Sequence, residues 1–412
     1  MIGDTFLNRK VIITTPTWNL SGVNTFSVNL ARGLRRHGVE TKILLTRTDR
    51  YPDYHTDMPR PSDIRLDILP VQVKKKYWEE HWQAIIDYLE GEAPCIYIPN
   101  YDFEHSCVSP RLSDRIGIVG IVHSDDPEHY EHVRRLGIYW NAIVAVSRDI
   151  GNTVSKFNHG FSERLSVIPN GVYVPDNFIH RPKRPESKIR LVYSGRLVQY
   201  QKRILDLSKI VELLFKRQIP FELTIIGSGP EEHKLRDMMK NYVNLKMVDF
   251  LGTVSNDVIY DILAKNDVFL LTSEFEGKPM SLLEAMGQGC VPVVTDIRSG
   301  IPELVQDGFN GYKVPVGDVE LFADRIATIQ HDQKLFQKMS NESYNKVKHS
   351  GHTTEDMTQQ YLDLFDNIAQ ELKEGRFKRP HGGIIPPPFM QGKSKALLWR
   401  IKHFFQRVRT HQ

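Results

Sequence analysis

Short apolar runs alternate with amphipathic segments along most of the chain. In the first half the apolar runs have the length of strands, and between several of them apolar residues recur three and four positions apart. The predicted strands are Val11–Thr15, Thr41–Thr46, Ile64–Leu69, Ala93–Ile98, Ile116–Val122 and Ala142–Val146. The clearest predicted helices are Thr25–Arg36, Tyr77–Leu89 and Arg148–Phe157. This alternation predicts parallel βαβ units and therefore a Rossmann-like domain over residues 1–178.

A second α/β series follows a break in this pattern. Residues 175–187 are rich in Pro, Arg, Lys and Asn without periodicity, which is typical of a linker. The next predicted strands are Ile189–Ser194, Phe221–Ile226, Val268–Thr272 and Val291–Thr295, and the helices are Ile204–Arg217, Glu231–Lys240 and Asp257–Ala264. We therefore expect an α/β protein with a second Rossmann-like domain over residues 188–352.

Length and charge add an extension to these two domains. A chain of 412 residues is too long for one ordinary hydrophobic core. Residues 376–412 contain nine Lys or Arg and no acidic residue, so that the rest of the chain holds 45 basic against 50 acidic residues, a net charge of −5. The formal net charge of +4 is therefore a property of the tail, and we predict no nucleic-acid partner.

The tail, residues 374–412, has two parts. Residues 382–388, Gly-Gly-Ile-Ile-Pro-Pro-Pro, are predicted to form a spacer that is not helical. Beyond them, residues 393–409 form a basic amphipathic pattern whose apolar stripe is Leu397, Leu398, Ile401, Phe404, Phe405 and Val408. Such a helix suits an anionic membrane surface. Docking on the protein's own surface or on a partner protein fits the pattern equally well.

The cysteines and the N-terminus favour the cytoplasm. Cys95, Cys107 and Cys290 have neither paired nor metal-like spacing and lie in or beside apolar segments, so we expect them to be reduced and buried. Residues 1–8 lack the start of a signal peptide, and no segment reaches the roughly 18 apolar residues of a membrane span. We expect a cytoplasmic protein, peripheral on the inner face of the membrane if the tail helix binds lipid.

The strongest candidate site lies between two predicted strands of the second domain. Glu276 and Glu284 bracket a glycine-containing loop and the first turn of a helix. Pro279 suits a helix start, where Ser281 and Leu282 would leave N–H groups unpaired at the positive end of the dipole. Such an end binds phosphate, and nearby carboxylates accept hydrogen bonds from sugar hydroxyls. The pattern predicts a site for a sugar attached to a nucleotide diphosphate, although either glutamate alone is as readily a solvated charge.

This segment resembles a known family. The run from Glu276 to Glu284, followed by Gly-Cys-Val-Pro-Val-Val and by Gly-Ile-Pro-Glu-Leu-Val at 300–305, closely resembles the signature of the retaining GT-B glycosyltransferases of family 4. The resemblance extends over almost all of residues 10–370. It implies two Rossmann-like domains that face a central cleft, and a C-terminal helix, expected at 353–373, that crosses back to the first domain.

The resemblance also implies roles for individual residues in the cleft. Glu276 would meet hydroxyls of the donor sugar, and Glu284 would bind the ribose. The helix start at Met280, Ser281 and Leu282 would hold the diphosphate. The implied co-substrate is a nucleotide-diphosphate sugar, and the implied partner is a glycan or lipid-linked acceptor.

Two cations follow the first strand of the second domain. Gly195 and Arg196 close this strand, and Lys202 follows six residues after Arg196. By resemblance the two cations stabilise the charge that develops on the departing diphosphate, a role that fixed cations can fill without a metal. Asp125 and Asp126 are adjacent rather than spaced as a metal-binding pair would be. We therefore predict that no metal and no cofactor are required.

The remaining candidates come from loops at strand ends. By resemblance Gly22 lines the donor and acceptor site, although Ser21 stands where the family commonly has a first glycine. His123 would lie beside the donor sugar. Gly227 and Gly229 would lie near the base or phosphate, and plain turn chemistry explains these two glycines equally well.

The sequence thus predicts a retaining, metal-independent hexosyltransferase that acts in cell-surface polysaccharide or glycolipid biosynthesis. No carboxylate is an obvious covalent nucleophile, so the family's proposed route applies, in which the departing phosphate oxygen helps to deprotonate the acceptor hydroxyl on the same sugar face. Two alternatives stay open. One is a nucleotide-sugar epimerase of the GT-B fold, which the glutamate spacing and the two cations argue against. The other is a nucleotide-sugar-binding protein without catalytic activity.

Overall fold

The computed structural model describes residues 10–19, 21–46, 60–69, 78–100, 103–178, 188–298 and 300–386. In these residues the chain forms two α/β domains, each built on one parallel sheet. The predicted fold class is confirmed. The predicted linker lies partly outside the described residues, and the predicted tail helix at 393–409 lies entirely outside them.

The sheet of the first domain has seven parallel strands in the part of the chain that is described. The strands are β1 Lys10–Thr15, β2 Glu40–Leu45, β3 Arg65–Ile68, β4 Cys95–Ile98, β5 Ile116–Val122, β6 Ala142–Ala145 and β7 Leu165–Val167. Their order across the sheet is β3-β2-β1-β4-β5-β6-β7. The middle strands β4 and β5 are buried along their whole length, because helices cover both faces, and this is why they read as continuous apolar runs.

Six helices of the first domain connect these strands where the chain is described. They are α1 Gly22–Arg36, α2 Trp78–Glu92, α3 Phe103–Ser106, α4 Pro127–Leu136, α5 Arg148–Val154 and α6 His159–Ser162. Because every strand is parallel, the loops that follow β1, β4, β5 and β6 meet at one edge of the sheet. This edge faces the second domain.

The sheet of the second domain has six described strands, all parallel. They are β8 Ile189–Ser194, β9 Phe221–Ile226, β10 Val248–Gly252, β11 Val268–Leu271, β12 Val291–Thr295 and β13 Tyr312–Val314, in the order β10-β9-β8-β11-β12-β13. The helices are α7 Gln199–Lys202, α8 Asp206–Lys216, α9 Glu232–Met238, α10 Lys240–Asn244, α11 Asn256–Ala264, α12 Met280–Gly287, α13 Ile301–Leu304, α14 Val319–His331 and α15 Gln333–Lys348.

Some elements differ from the sequence prediction. The strands β7, β10 and β13 were not predicted, because they are short and only partly buried and lack the continuous apolar run of the equally short β4, β6 and β11. The single helix predicted over Glu231–Lys240 is two short helices, α9 and α10. Helices α4, α14 and α15 were also not predicted.

The last described helix, α16 (Thr354–Glu374), packs on the first domain although it follows the second in sequence. Thr353 and Asp356 form a capping box at its start. Its buried side chains Met357, Tyr361, Phe365 and Ile368 belong to the core beneath the first sheet. The helix expected at 353–373 corresponds to α16, and it does cross back to the first domain.

Residues 376–386 form a strap that runs over the first domain without helical structure. Arg379 is 3% exposed, and its guanidinium group donates hydrogen bonds to five oxygen atoms. These are the carbonyl oxygens of Leu112, Ser113, Ile116 and Tyr139 and Oδ1 of Asn141, at 2.6–3.2 Å. Burial lowers the pKa of Arg379 to about 10, so it stays charged at neutral pH. The predicted spacer is thus non-helical where it is described, but it is docked on the first domain.

The three cysteines are buried, as predicted, and none of them forms a disulfide within the described residues. Among the described helices, none combines the length and the hydropathy that a membrane-spanning segment requires.

Candidate functional site

The core of the candidate site is the loop between β11 and helix α12. The helix begins at Met280, directly after Pro279, as the sequence predicts. Pro279 also supplies an acceptor, because its carbonyl oxygen lies 3.2 Å from the amide nitrogen of Leu282. The expectation of an unpaired N–H group at Leu282 is therefore wrong, since the first turn closes on itself. The N–H groups of Met280 and Ser281 precede any intrahelical acceptor and are the two suited to bind an anion.

Glu276 is held by two neighbours. Its side chain is 6% exposed, and its Oε1 atom lies 2.5 Å from Nζ of Lys202 and 2.6 Å from the hydroxyl oxygen of Ser273. Both contacts use the same oxygen. The structure therefore brings Glu276 and Lys202 together as an ion pair, which the sequence did not predict. The other carboxylate oxygen has no hydrogen-bond partner among the described residues and can accept from a ligand hydroxyl.

Arg196 reaches the same loop through a glutamine that the sequence analysis missed. Its Nη2 donates to Oε1 of Gln201 at 2.7 Å, and the backbone carbonyl of Gln201 accepts from the N–H of Glu274 at 2.8 Å. Gln201 thus connects the loop after β8 with the loop after β11. As a result both predicted cations lie beside the loop that carries Glu276.

Glu284 differs from Glu276 in having no side-chain hydrogen-bond partner within the described residues. It lies about one turn into α12 and is 6% exposed. Burial alone raises the pKa of its carboxyl group to about 8. Burying an ionised carboxylate without a hydrogen-bond partner costs free energy. Hydrogen bonds from two hydroxyl groups, such as those of a ribose, would lower that cost.

The predicted glycines of the second domain serve close packing. A Cβ atom on Gly227 would lie 2.0 Å from the carbonyl oxygen of Gly195, and one on Gly229 would lie 2.4 Å from that of Leu197. The N–H groups of Gly195 and Gly227 donate to the carbonyls of Ile226 and Gly252. These two N–H groups are therefore occupied, and packing accounts for the glycines. A role in donor binding stays a prediction.

On the first domain, the loop after β1 faces α12. Ser21 caps helix α1 by accepting the N–H of Asn24 at 3.2 Å, so the residue that replaces a family glycine has its own structural use. Gly22 is exposed, and a Cβ atom there would lie 3.6 Å from Cγ of Met280. Gly22 and Met280 therefore lie next to each other where the two domains meet, and a role of Gly22 in donor binding stays a prediction.

His123 is neutral and oriented by an amide. Its Nε2 lies 3.0 Å from Oδ1 of Asn100, and the amide nitrogen of Asn100 donates to the carbonyl of Thr14 at 2.8 Å. Because the amide nitrogen is used there, Oδ1 must accept, and Nε2 of His123 carries the proton. Desolvation and the neighbouring His129 lower the pKa of His123 to about 3. Asn100, with φ of 51°, was missed by the sequence analysis.

A glycine next to Glu276 lies close to the first domain. A Cβ atom on Gly277 would lie 2.4 Å from the carbonyl oxygen of His123 and 2.8 Å from Cα of Ser124. Only glycine fits at this distance. The loop that carries Glu276 therefore packs directly on the end of β5.

The adjacent acids of the first domain have structural partners. Asp125 accepts a hydrogen bond from the hydroxyl of Tyr130, and Asp126 caps helix α4 by accepting the N–H of Glu128 at 2.8 Å. In the described part of the chain, no three His, Cys, Asp or Glu residues are grouped so that they could hold a metal ion.

Comparison with known proteins agrees with this architecture. Two family models match the chain in succession, Glycosyltransferase Family 4 over residues 20–174 and Glycosyl transferases group 1 over residues 176–346. These two segments correspond to the two domains, and the second contains both Glu276 and Glu284.

Individual proteins are similar over parts of the chain. The putative colanic acid biosynthesis glycosyltransferase WcaL of Salmonella typhimurium is 33% identical over 180 residues, which are 41% of this chain and 44% of that protein. The N-acetyl-alpha-D-glucosaminyl L-malate synthase of Bacillus anthracis is 28% identical over 280 residues, 64% of this chain and 71% of that protein. The first match thus spans less than half of the relative's length.

Solved structures show the same fold. A crystal structure of an S. aureus TarM mutant in complex with fondaparinux, alpha-GlcNAc-glycerol and UDP has a TM-score of 0.69 and 13% sequence identity, and the alignment covers 87% of this chain and 99% of that chain. The two successive family matches, the paired parallel-sheet domains and the placement of Glu276 and Glu284 agree with one another. The chain belongs to the family 4-type glycosyltransferases of the GT-B fold.

Proposed function

We propose that this protein is a retaining glycosyltransferase that moves a hexosyl group from a nucleotide-diphosphate sugar to a glycan or lipid-linked acceptor. The observation that carries the proposal is Glu284, a buried carboxylate at the cleft with no hydrogen-bond partner among the described residues. Two vicinal ribose hydroxyls would donate to its two oxygens. Glu276, on the preceding loop, would accept hydroxyl hydrogens of the donor sugar through its open oxygen.

The diphosphate would lie between these two carboxylates at the start of α12. The N–H groups of Met280 and Ser281 point from the positive end of this helix. Lys202 and Arg196 supply positive charge on the neighbouring loop. Lys202 would share its charge between Glu276 and the phosphates, so that the ion pair positions the cation before the donor arrives.

The chemical step follows from this arrangement. The bond between the anomeric carbon and the β-phosphate oxygen breaks, and its electron pair goes to that oxygen, next to the two cations. The acceptor hydroxyl forms its bond to the anomeric carbon on the same face and gives its proton to the departing phosphate oxygen. Configuration is thereby retained. The cations supply the charge stabilisation, so that we propose no requirement for a metal.

The acceptor class is proposed from the relatives. WcaL is named for colanic acid biosynthesis, and the TarM structure contains UDP together with alpha-GlcNAc-glycerol. We therefore place this protein in the synthesis of a cell-surface polysaccharide or glycolipid. A cytoplasmic location, with residues 393–409 on the inner face of the membrane, would bring it to a lipid-linked acceptor.

Replacement of Glu276 tests the proposal. A panel of UDP-, GDP- and ADP-sugars is first screened for hydrolysis or transfer with the wild-type protein. For the active donor, we expect Glu276→Ala to lower kcat by about 10²–10³-fold, as for loss of a charge-stabilising group. Glu276→Gln keeps the size of the side chain and separates loss of charge from loss of packing. An unchanged kcat in Glu276→Ala, with intact folding, would remove the assignment.

The same assay separates the two alternatives. A transferase without acceptor releases free sugar and nucleoside diphosphate slowly, because water replaces the acceptor. A binding protein without catalytic activity releases neither product. An epimerase changes the configuration of the sugar and forms no product with an added acceptor. Analysis of the sugar product by NMR distinguishes all three.

A further inference from the structure

Glu303 connects the two domains through its two carboxylate oxygens. Oε1 accepts the backbone N–H of Arg148 at 3.0 Å, and Oε2 lies 2.9 Å from Nζ of Lys278. Arg148 is the first residue of α5, in the first domain. Lys278 lies in the second domain, two residues after Glu276. One carboxylate therefore joins a helix of one domain to the donor-site loop of the other.

Lys278 is unusually placed for a lysine. Its side chain is 1% exposed, and its ammonium group is paired with Glu303. Burial lowers its pKa, and Glu303 opposes this effect, whereas Lys346 and Arg148 add to it. A buried ammonium group without its carboxylate is costly. The charge of Lys278 thus keeps the Glu303 side chain in the orientation that also reaches Arg148.

The same loop is held at two other points. The carbonyl of Gly277 accepts the N–H of Gly300 at 2.7 Å, and the Cα of Gly277 packs on the carbonyl of His123 in the first domain. Residues 276–278 are therefore held between the end of β5 and the turn at 300–303. The position of this loop cannot change without altering contacts to the first domain.

We infer that Lys278 and Glu303 are positioning residues for the proposed transfer, because their ion pair couples the approach of the two domains to the placement of the Glu276 carboxylate. This inference rests on the proposed function. Neither residue needs to touch the donor. Their effect is on the geometry in which Glu276 and the first domain meet the sugar, and small displacements in such geometry lower turnover strongly.

The kinetic test uses Lys278→Met, Glu303→Gln and the double variant. We expect each single variant to lower kcat about tenfold. The double variant should be no slower than either single one, because the two residues act as a unit. The Kd for UDP, or for the nucleoside diphosphate that binds, should change less than threefold, because the proposed diphosphate contacts lie within the second domain.

A matched ion pair serves as the control. Nζ of Lys188 and Oε1 of Glu222 lie 2.9 Å apart in the second domain, and both side chains are half exposed. The pair lies at the start of β8 and β9, at the edge of the sheet opposite to the candidate site. Lys188→Met and Glu222→Gln should leave kcat unchanged. Thermal unfolding of every variant allows kcat to be compared per folded molecule, so a merely structural role of the buried pair would change the unfolding temperature and not kcat.

The coupling between the domains is measured directly with spin labels. The exposed positions Lys156→Cys and Gln306→Cys lie on different domains, and the three natural cysteines are buried. In the otherwise wild-type protein we expect one narrow distribution of distances between the two labels. In Lys278→Met or Glu303→Gln we expect this distribution to be broader or shifted to longer distances.

The outcomes separate this inference from the proposed function. If the wild type binds no nucleoside diphosphate, the proposed function fails, whereas the distance measurement still reports on the link. If kcat and the distance distribution both stay at wild-type values in Glu303→Gln, the inference is wrong. It is also wrong if kcat falls while the distances stay unchanged, since the pair would then act within its own domain alone.

Discussion

The two faces of the cleft differ in charge. The second domain presents the ion pair of Glu276 and Lys202, the guanidinium of Arg196 and the buried carboxylate of Glu284. On the first domain the group next to this loop is the neutral imidazole of His123, whose pKa is lowered to about 3, and the nearby carboxylates of Asp125 and Asp126 are engaged by Tyr130 and by the start of α4. The charged groups that can bind a ligand therefore lie mainly on the second domain.

This difference suggests a division of roles between the domains. A diphosphate needs fixed positive charge, and a ribose needs acceptors, and both are available on the second domain without help from the first. The neutral imidazole of His123 adds no competing charge and can form hydrogen bonds with sugar or acceptor hydroxyls. Nucleotide affinity should therefore depend on the second domain, whereas turnover should depend on both.

Replacement of Lys202 should give the largest effect. Lys202→Met removes the cation nearest to Glu276 and the charge next to the departing phosphate, so we expect kcat to fall about 10²–10³-fold. The measurement is steady-state transfer or hydrolysis with the active donor. Lys209→Met, on an exposed lysine of helix α8, is the control. A kcat within threefold of wild type would show that the charged face is not the catalytic one.

The ionisation of Glu284 should give the next largest effect. Its pKa in the free protein is about 8, above the ordinary value of 4.5, and ribose hydroxyls favour the ionised form. Nucleoside-diphosphate affinity should therefore rise about fivefold from pH 7 to pH 8, reach about ten times its pH 7 value near pH 9 and level off above that. Phosphate groups titrate near pH 6, below this window.

Calorimetry in buffers of different ionisation enthalpy checks this expectation, because binding at pH 7 should release about one proton. Glu284→Gln should bind more weakly at pH 9 and show no pH dependence between pH 7 and pH 9. An equally steep pH dependence in Glu284→Gln would assign the titration to another group.

Replacement of His123 on the first domain should have a smaller effect on kcat. The ionisation of this imidazole should add no pH dependence to kcat. His123→Ala should lower kcat about tenfold and leave the affinity for the nucleoside diphosphate nearly unchanged. The wild type should show no inflection from this imidazole between pH 5 and pH 9, because it stays neutral throughout.

The variant Asn100→Asp tests why the imidazole of His123 is neutral. A carboxylate beside Nε2 would favour the charged imidazole and raise its pKa. NMR titration of the histidine ring is the measurement. A wild-type His123 that titrates near its ordinary value of 6.5 would contradict the assignment of a neutral face.

The smallest effect is expected at Ser21. Ser21→Gly restores the glycine that the family commonly has and removes one helix cap, and serine-to-glycine changes at such positions cost only a few tenths of a kcal/mol. Thermal unfolding and kcat should both stay near wild type. A large gain in kcat would show that Ser21 restricts the donor site on the first domain.

The sequence predicted the charged face better than the neutral one. Glu276, Glu284 and the helix start after Pro279 lie within one local segment, so their spacing already fixes their common position. The contact between Glu276 and Lys202 joins two loops 74 positions apart, and local spacing carries no information on such a pairing. Gln201 was missed for the same reason.

The neutral face was only partly predictable. His123 follows a clear strand, and its position at the strand end could be inferred. Which ring nitrogen carries its proton depends on Asn100, in the loop after β4, and on Thr14, in β1, and neither is near His123 in sequence. Arg379 is a similar case, because its five acceptor oxygens belong to segments more than 230 positions away, and nothing near Arg379 in sequence indicates that it is buried.

Calorimetric titration of the wild-type protein with UDP, GDP and ADP tests the central claim most directly, in parallel with the double variant Arg196→Ala and Lys202→Met. We predict that one of the three binds at one site per chain, and that the double variant, with the charged face disabled, binds it at least tenfold more weakly. Absence of binding by all three nucleotides, or equal affinity of the double variant, would contradict the account.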